Sequence, residues 1–206
     1  MEGFFFIGLI SIVLFAALPL VISIALLVIL ALRHDDDVDS SRAPAIYASI
    51  VAFVSFLTVL FALGGAAAAL GQYSVDDYGG GHHDATTGLV ISVIVAVIAL
   101  AIIRLHQPLF DRRHVAVGAA KRVYRAYALV LCLGVLIVGA IAAVAGLFFL
   151  YSFIAPGVVD TDRGDALRSF APMAVLLAGS GILWRWHWDE LGLGPAPPNV
   201  TATDVP

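Results

Sequence analysis

The chain has a single cysteine, a single lysine and only 13% charged residues among its 206 positions. Each scarcity excludes something. One thiol, Cys132, inside an apolar run, rules out an intrachain disulfide and reads as a small apolar residue. A net charge of −4 with mixed signs leaves no basic surface of the kind that binds nucleic acid. There is no Cys-x-x-Cys and no glycine loop poised before a helix to cradle phosphate. Nor is there a hydrolase constellation, since Cys132 has no histidine at its depth and His114 lies outside its segment. Asp, Glu, Lys and Arg are missing from the interiors of the apolar segments. Proton-coupled carriers and pumps keep such residues at depth, so their absence argues against those classes.

What remains is hydrophobic: 61% of the residues are apolar by type and the mean hydropathy is +1.00. That composition belongs to membrane proteins. A hydrocarbon core about 30 Å thick is crossed by about 20 apolar residues in a helix. Segments of this kind recur at 4–32, 45–70, 88–105, 126–154 and 169–188, which predicts an all-α polytopic bundle of five transmembrane helices. The first is too long for a signal peptide, lacks a basic leader and ends at Arg33-His34-Asp35 without a small-residue cleavage pattern. A bend is expected in it at Pro19.

Positive charge sets the expected orientation. Placing 33–44, 104–125 and the C-terminus on one side gathers nine of the eleven basic residues there and leaves only Arg163 and Arg168 opposite. By the positive-inside rule the N-terminus is outside and the C-terminus cytoplasmic.

Scarce residues also repeat. Arg104-Leu105-His106 and Arg185-Trp186-His187 are offset by 81 positions, as are Asp84-Ala85 with Asp165-Ala166 and Gly65 with Gly146. Arg42 with Arg122 and Tyr47-Ala48 with Tyr127-Ala128 are offset by 80. This pattern predicts an internal duplication, with helical hairpins at 42–110 and 122–191 starting and ending inside, parallel to one another, beside one extra helix. Residues 1–191 then form a single transmembrane domain, and the Gly- and Pro-rich 192–206 a disordered cytoplasmic tail.

Arg122, Tyr124 and Tyr127 open the second hairpin, and Trp184, His187 and Trp188 close it. In these motifs it resembles an uncharacterised prokaryotic integral membrane family, a domain of unknown function with an Arg-x-Tyr-x-x-Tyr-like start and a Trp-x-x-His-Trp end. The first hairpin keeps Arg42 and Tyr47 but ends Ile103-Arg104-Leu105-His106-Gln107, without tryptophan. The resemblance implies the hairpin fold and no chemistry.

Few residues point to a ligand. His106 and His187, at equal depth on two helices, have the arrangement that holds b-type haem by both axial positions, with Arg104 and Arg185 toward the propionates. The plainer reading is an interfacial anchor of Arg104, Arg185, Trp184, Trp186 and Trp188, the arginines snorkelling to headgroups and the tryptophans forming a belt. Trp184, Trp186 and Trp188 advance about 200° per step around a helix, which scatters them as a belt requires. In the outer connection 73–87, His82, His83 and Asp84 offer ligands for Zn²⁺, Ni²⁺ or Cu²⁺, although the three preceding glycines leave them unorganised. Asp84 and Asp165 read as helix N-caps. The acidic run Asp35-Asp36-Asp37 with Asp39 solvates a turn or docks on a basic partner or on Arg112-Arg113. Serines and threonines in the spans can bond their own i−4 carbonyls. Small-residue pairs such as Gly65 with Ala69, Gly139 with Ala143 and Ala142 with Gly146 suit close helix packing, within the bundle or against another subunit.

The sequence thus predicts a non-enzymatic packing or accessory subunit needing no cofactor. Its partners are the lipid bilayer and a homo-oligomer or another membrane subunit. A small-solute transporter or channel and a haem-binding protein stand as alternatives.

Overall fold

A computed structural model describes residues 42–73, 81–155 and 163–188. The first predicted span, with its Pro19, and the tail lie outside the described residues. Four helices run α1 (Arg42–Tyr73), α2 (Gly81–Phe110), α3 (Gly118–Ile154) and α4 (Arg163–Trp188), with a 3-10 turn at Asp111–His114 between α2 and α3. All four are long and apolar enough to cross a membrane. Helix is the expected answer for such segments, because within lipid the backbone must satisfy its own polar groups.

The helices exceed the spans predicted for them. At about 1.5 Å per residue the 37 residues of α3 extend roughly 55 Å, more than the bilayer with its headgroups. The excess includes its N-terminal turns, so Lys121, Arg122 and Arg125, expected in a connection, stand on the helix itself. Likewise α2 starts at Gly81, so His82, His83 and Asp84 belong to helical backbone and not to a loop. Asp84 and Asp165 are correspondingly first-turn acids rather than N-caps, where a carboxylate still complements the helix dipole. The turn into α3 depends on Gly118, whose φ of 58° lies in the left-handed region.

Two hairpins are evident, α1 with α2 and α3 with α4, and α1 also packs on α3 and α4. In contrast, α2 meets the second hairpin chiefly through its C-terminal turn. Phe110 joins Tyr127, Leu131 and Val135 of α3 and Phe53, Phe56 and Leu60 of α1 in the main core, and Leu109 packs on a second cluster where Ala45 and Ala48 meet Ala120, Val123 and Tyr124. The membrane-crossing stretches of α1 and α3 are about half buried, whereas those of α2 and α4 face mostly outward. Val90, Ile94, Val97 and Ile98 of α2 are all exposed and aliphatic, as a lipid-facing surface should be.

Small residues are spent inside the bundle. A Cβ at Gly65 would come 2.8 Å from Ser92 Oγ of α2, and one at Gly146 would lie 3.5 Å from Met173 Cβ of α4. Gly139 faces Ser180, and Gly88 faces Ala69. Between hairpins, Gly64 abuts Leu176, Gly179 abuts Leu60, and Gly71 sits against the backbone of Arg168. Thr58 bonds its i−4 carbonyl as expected, at 2.8 Å from Val54 O. Ser49 and Ser180 do not: both are buried with no hydrogen-bond partner for their hydroxyls.

Candidate functional site

Where α1 and α3 begin and α2 and α4 end, two tyrosine–histidine pairs face each other across the hairpins. Tyr47 of α1 meets His106 Nε2 of α2 at 2.8 Å, and Tyr127 of α3 meets His187 Nε2 of α4 at 3.1 Å. Each histidine also places Nδ1 at 2.9 Å from the carbonyl one turn back, Ile102 O or Leu183 O. A carbonyl only accepts, so Nδ1–H donates to it, and Nε2 of the neutral ring accepts from the tyrosine hydroxyl. Both imidazoles therefore hold one tautomer, fixed from two sides. Ring centroids are 5.5 Å apart in the first pair and 5.6 Å in the second.

The surroundings of the two pairs differ. Tyr127 and His187 are fully buried, with Phe56, Phe110 and Trp186 around the imidazole at 5.6, 6.4 and 5.7 Å between centroids. Tyr47 is half exposed and His106 partly so. The cause is the central position of α1. Its Phe56 reaches across to the second hairpin and closes over His187, while His106 lines an open cleft.

That cleft has a volume of about 160 Å³ and is walled by Val51, Phe56, Ile103, Phe110 and Trp186, with His106, Gln107, Asp111 and Arg113 as its polar lining. Much of that polar lining is engaged. Arg104 donates to Gln107 Oε1 at 2.7 Å, and the Arg113 guanidinium lies 3.9 Å from the Phe110 ring centroid and 3.7 Å from the Asp111 carboxylate. Nearby, Tyr124 donates to Leu109 O at 3.1 Å, filling one of the carbonyls that the end of α2 leaves open.

The structure thus brings together His106, Gln107, Trp186 and Arg113 around one cleft. Arg104 and Arg185 are exposed at this same end. The tryptophans divide: Trp184 and Trp188, one turn apart, are in contact with ring centroids 4.6 Å apart and planes tilted by 53°, and Trp186 turns the other way onto Phe56. Scattering is right for Trp186 against the pair, but the i, i+4 spacing returns Trp188 to the face of Trp184. The axial nitrogen that iron needs is, in each histidine, the one that accepts from tyrosine. His82 and His83 have side chains outside the described residues, and Asp84 is in the first turn of α2. Among the described residues no group of three His, Cys, Asp or Glu side chains stands ready for a metal.

Sequence reasoning used Tyr47 and Tyr127 to set the repeat register and as part of a family-like motif, never as histidine partners, and missed Phe56 and Phe110. A signal for the tyrosines was present: Tyr–His separations of 59 and 60 recur in two hairpins. Within the second hairpin this contact joins its two ends, Tyr127 near the start of α3 and His187 near the end of α4. No protein-family model, curated protein or solved structure matches the chain.

Proposed function

We propose that this chain is a non-enzymatic subunit of a prokaryotic plasma membrane, a pair of locked hairpins that packs with a second copy or with another membrane protein. The observation that carries the reading is the double tyrosine–histidine clamp: the side chains best suited to proton or metal chemistry satisfy one another and join the helices. Most of the helix-face glycines pack within the bundle, Gly134 and Gly181 being the open ones, so a partner meets mainly aliphatic surface, for which α2 has the most room. Transport asks for polar groups converging at mid-depth, whereas the cleft lies at the basic end and has mostly apolar walls.

The reading includes a duplicated architecture beside a fifth, N-terminal span, with the N-terminus outside and the C-terminus cytoplasmic. Support comes from equivalent contacts one repeat apart: Tyr47–His106 with Tyr127–His187, Gly65–Ser92 with Gly146–Met173, and the fully covered Ala85 and Ala166. The test is isolation of the full chain in mild detergent, with its mass measured and co-isolating membrane proteins identified. A stable oligomer or one recurrent partner is expected. A lone monomer at every detergent concentration overturns the proposal.

A further inference from the structure

The basic end of the bundle is charged on one side of α3 in particular. Lys121, Arg122 and Arg125 are exposed there, whereas Ala120, Val123, Tyr124 and Tyr127 of the same helix are buried, and Arg112 is exposed on the 3-10 turn that packs against this helix. Among the described residues at this end the only acid is Asp111, within reach of Arg113. The start of α1 lies directly beside these turns, because Ala45 and Ala48 pack on Ala120, Val123 and Tyr124. Upstream of Arg42, the sequence carries Asp35, Asp36, Asp37 and Asp39 within a few residues.

We propose that Asp35–Asp37 dock on the face formed by Arg112, Lys121, Arg122 and Arg125, so that the chain entering α1 is strapped electrostatically to α3. Reach selects the residues. Five to seven residues extend about 16–23 Å, enough to pass from the start of α1 around a neighbouring helix about 10 Å thick. Asp39, three residues from Arg42, spans about 10 Å and stops short of the far side. Charge selects the segment: three adjacent carboxylates meet four cations, whereas the other nearby acids, Asp189 and Glu190, follow α4, which meets α3 deeper, at Tyr127. The competing occupant of the same face is an anionic phospholipid headgroup.

Lys121 makes the contact directly testable, because it is the only lysine in the chain. A water-soluble carbodiimide joins a carboxylate to an amine that touches it, adding no spacer. The full chain, mixed as light and isotope-labelled copies, is treated in phosphatidylcholine vesicles and in vesicles that also contain phosphatidylglycerol. Trypsin and mass spectrometry then identify the peptides joined. The expected product couples the peptide ending at Arg42 to the one containing Lys121, within one copy, in both lipids. It is lost in D35N/D36N/D37N, kept in D39N and weakened by high salt. Coupling to the Asp189–Glu190 peptide or between copies overturns the proposal. So does its loss only where phosphatidylglycerol is present, or its absence while Lys121 still acetylates.

Discussion

The hydroxyl of Tyr127 donates to Nε2 of His187 across 3.1 Å, joining residues 60 positions apart in a site that water does not reach. With Nδ1–H committed to Leu183 O, the imidazole has no spare polar atom. The first hairpin has the same bond between Tyr47 and His106, but at its edge. Burial, not chemistry, separates the two pairs.

Tyr127→Phe removes the hydroxyl that donates to the buried Nε2 of His187, which costs about 1–3 kcal/mol. Tyr47→Phe should cost less than about 1 kcal/mol, since His106 lies on an open cleft that can supply another partner. Unfolding of both variants in one detergent checks the order, and equal losses would contradict it. A cycle of Tyr127→Phe with His187→Ala should be non-additive by about 0.5–3 kcal/mol.

Glycine substitutions should separate by what a Cβ meets. At Gly71 it meets the Arg168 backbone at 3.2 Å, which cannot swing aside, so Gly71→Val lowers stability by about 1–3 kcal/mol. At Gly134 nothing lies within 4 Å, and Gly134→Ala raises stability by about 0.5–1 kcal/mol through helix propensity. At Gly118 the φ of 58° penalises any side chain, and Gly118→Val is destabilising despite its exposed position. Thermal midpoints of the three variants provide the measurement.

Haem added to the purified protein should give no Soret signature that depends on the histidines. Ligation would require both imidazoles to surrender the tyrosine bonds at Nε2. Spectra of the wild type, His106→Ala and His187→Ala should therefore coincide. A bis-histidine spectrum present only in the wild type would refute this.

Topology can be read with introduced thiols, because Cys132 is buried and should stay silent. Asp111→Cys, at the basic end, should react with a membrane-impermeant maleimide only after permeabilisation. Asp165→Cys, at the opposite end, should react in intact cells. The reverse pattern would invert the proposed orientation.

Apolar runs were enough to predict the four described spans, because lipid leaves the backbone no alternative to the helix. Their ends were not legible. Hydropathy falls where charged residues begin, but helix α3 continues through Lys121, Arg122 and Arg125 because these side chains extend into headgroups and water. The histidines were recognised as a pair by their repeat spacing. Their partners were not recognised, because a tyrosine near a helix start resembles any interfacial aromatic until the opposing helix is in place.

Sequence by itself determined the membrane class, the helices and the basic end, since these depend on composition and local periodicity. Only the tertiary structure decided that each histidine is held by a tyrosine from the facing helix, and that one pair is sealed and the other open. Placing α1 at the centre puts Phe56 over His187 and leaves His106 on the cleft. Equal sequence motifs thus acquire unequal surroundings, because burial is set by which helix lies alongside and not by the motif.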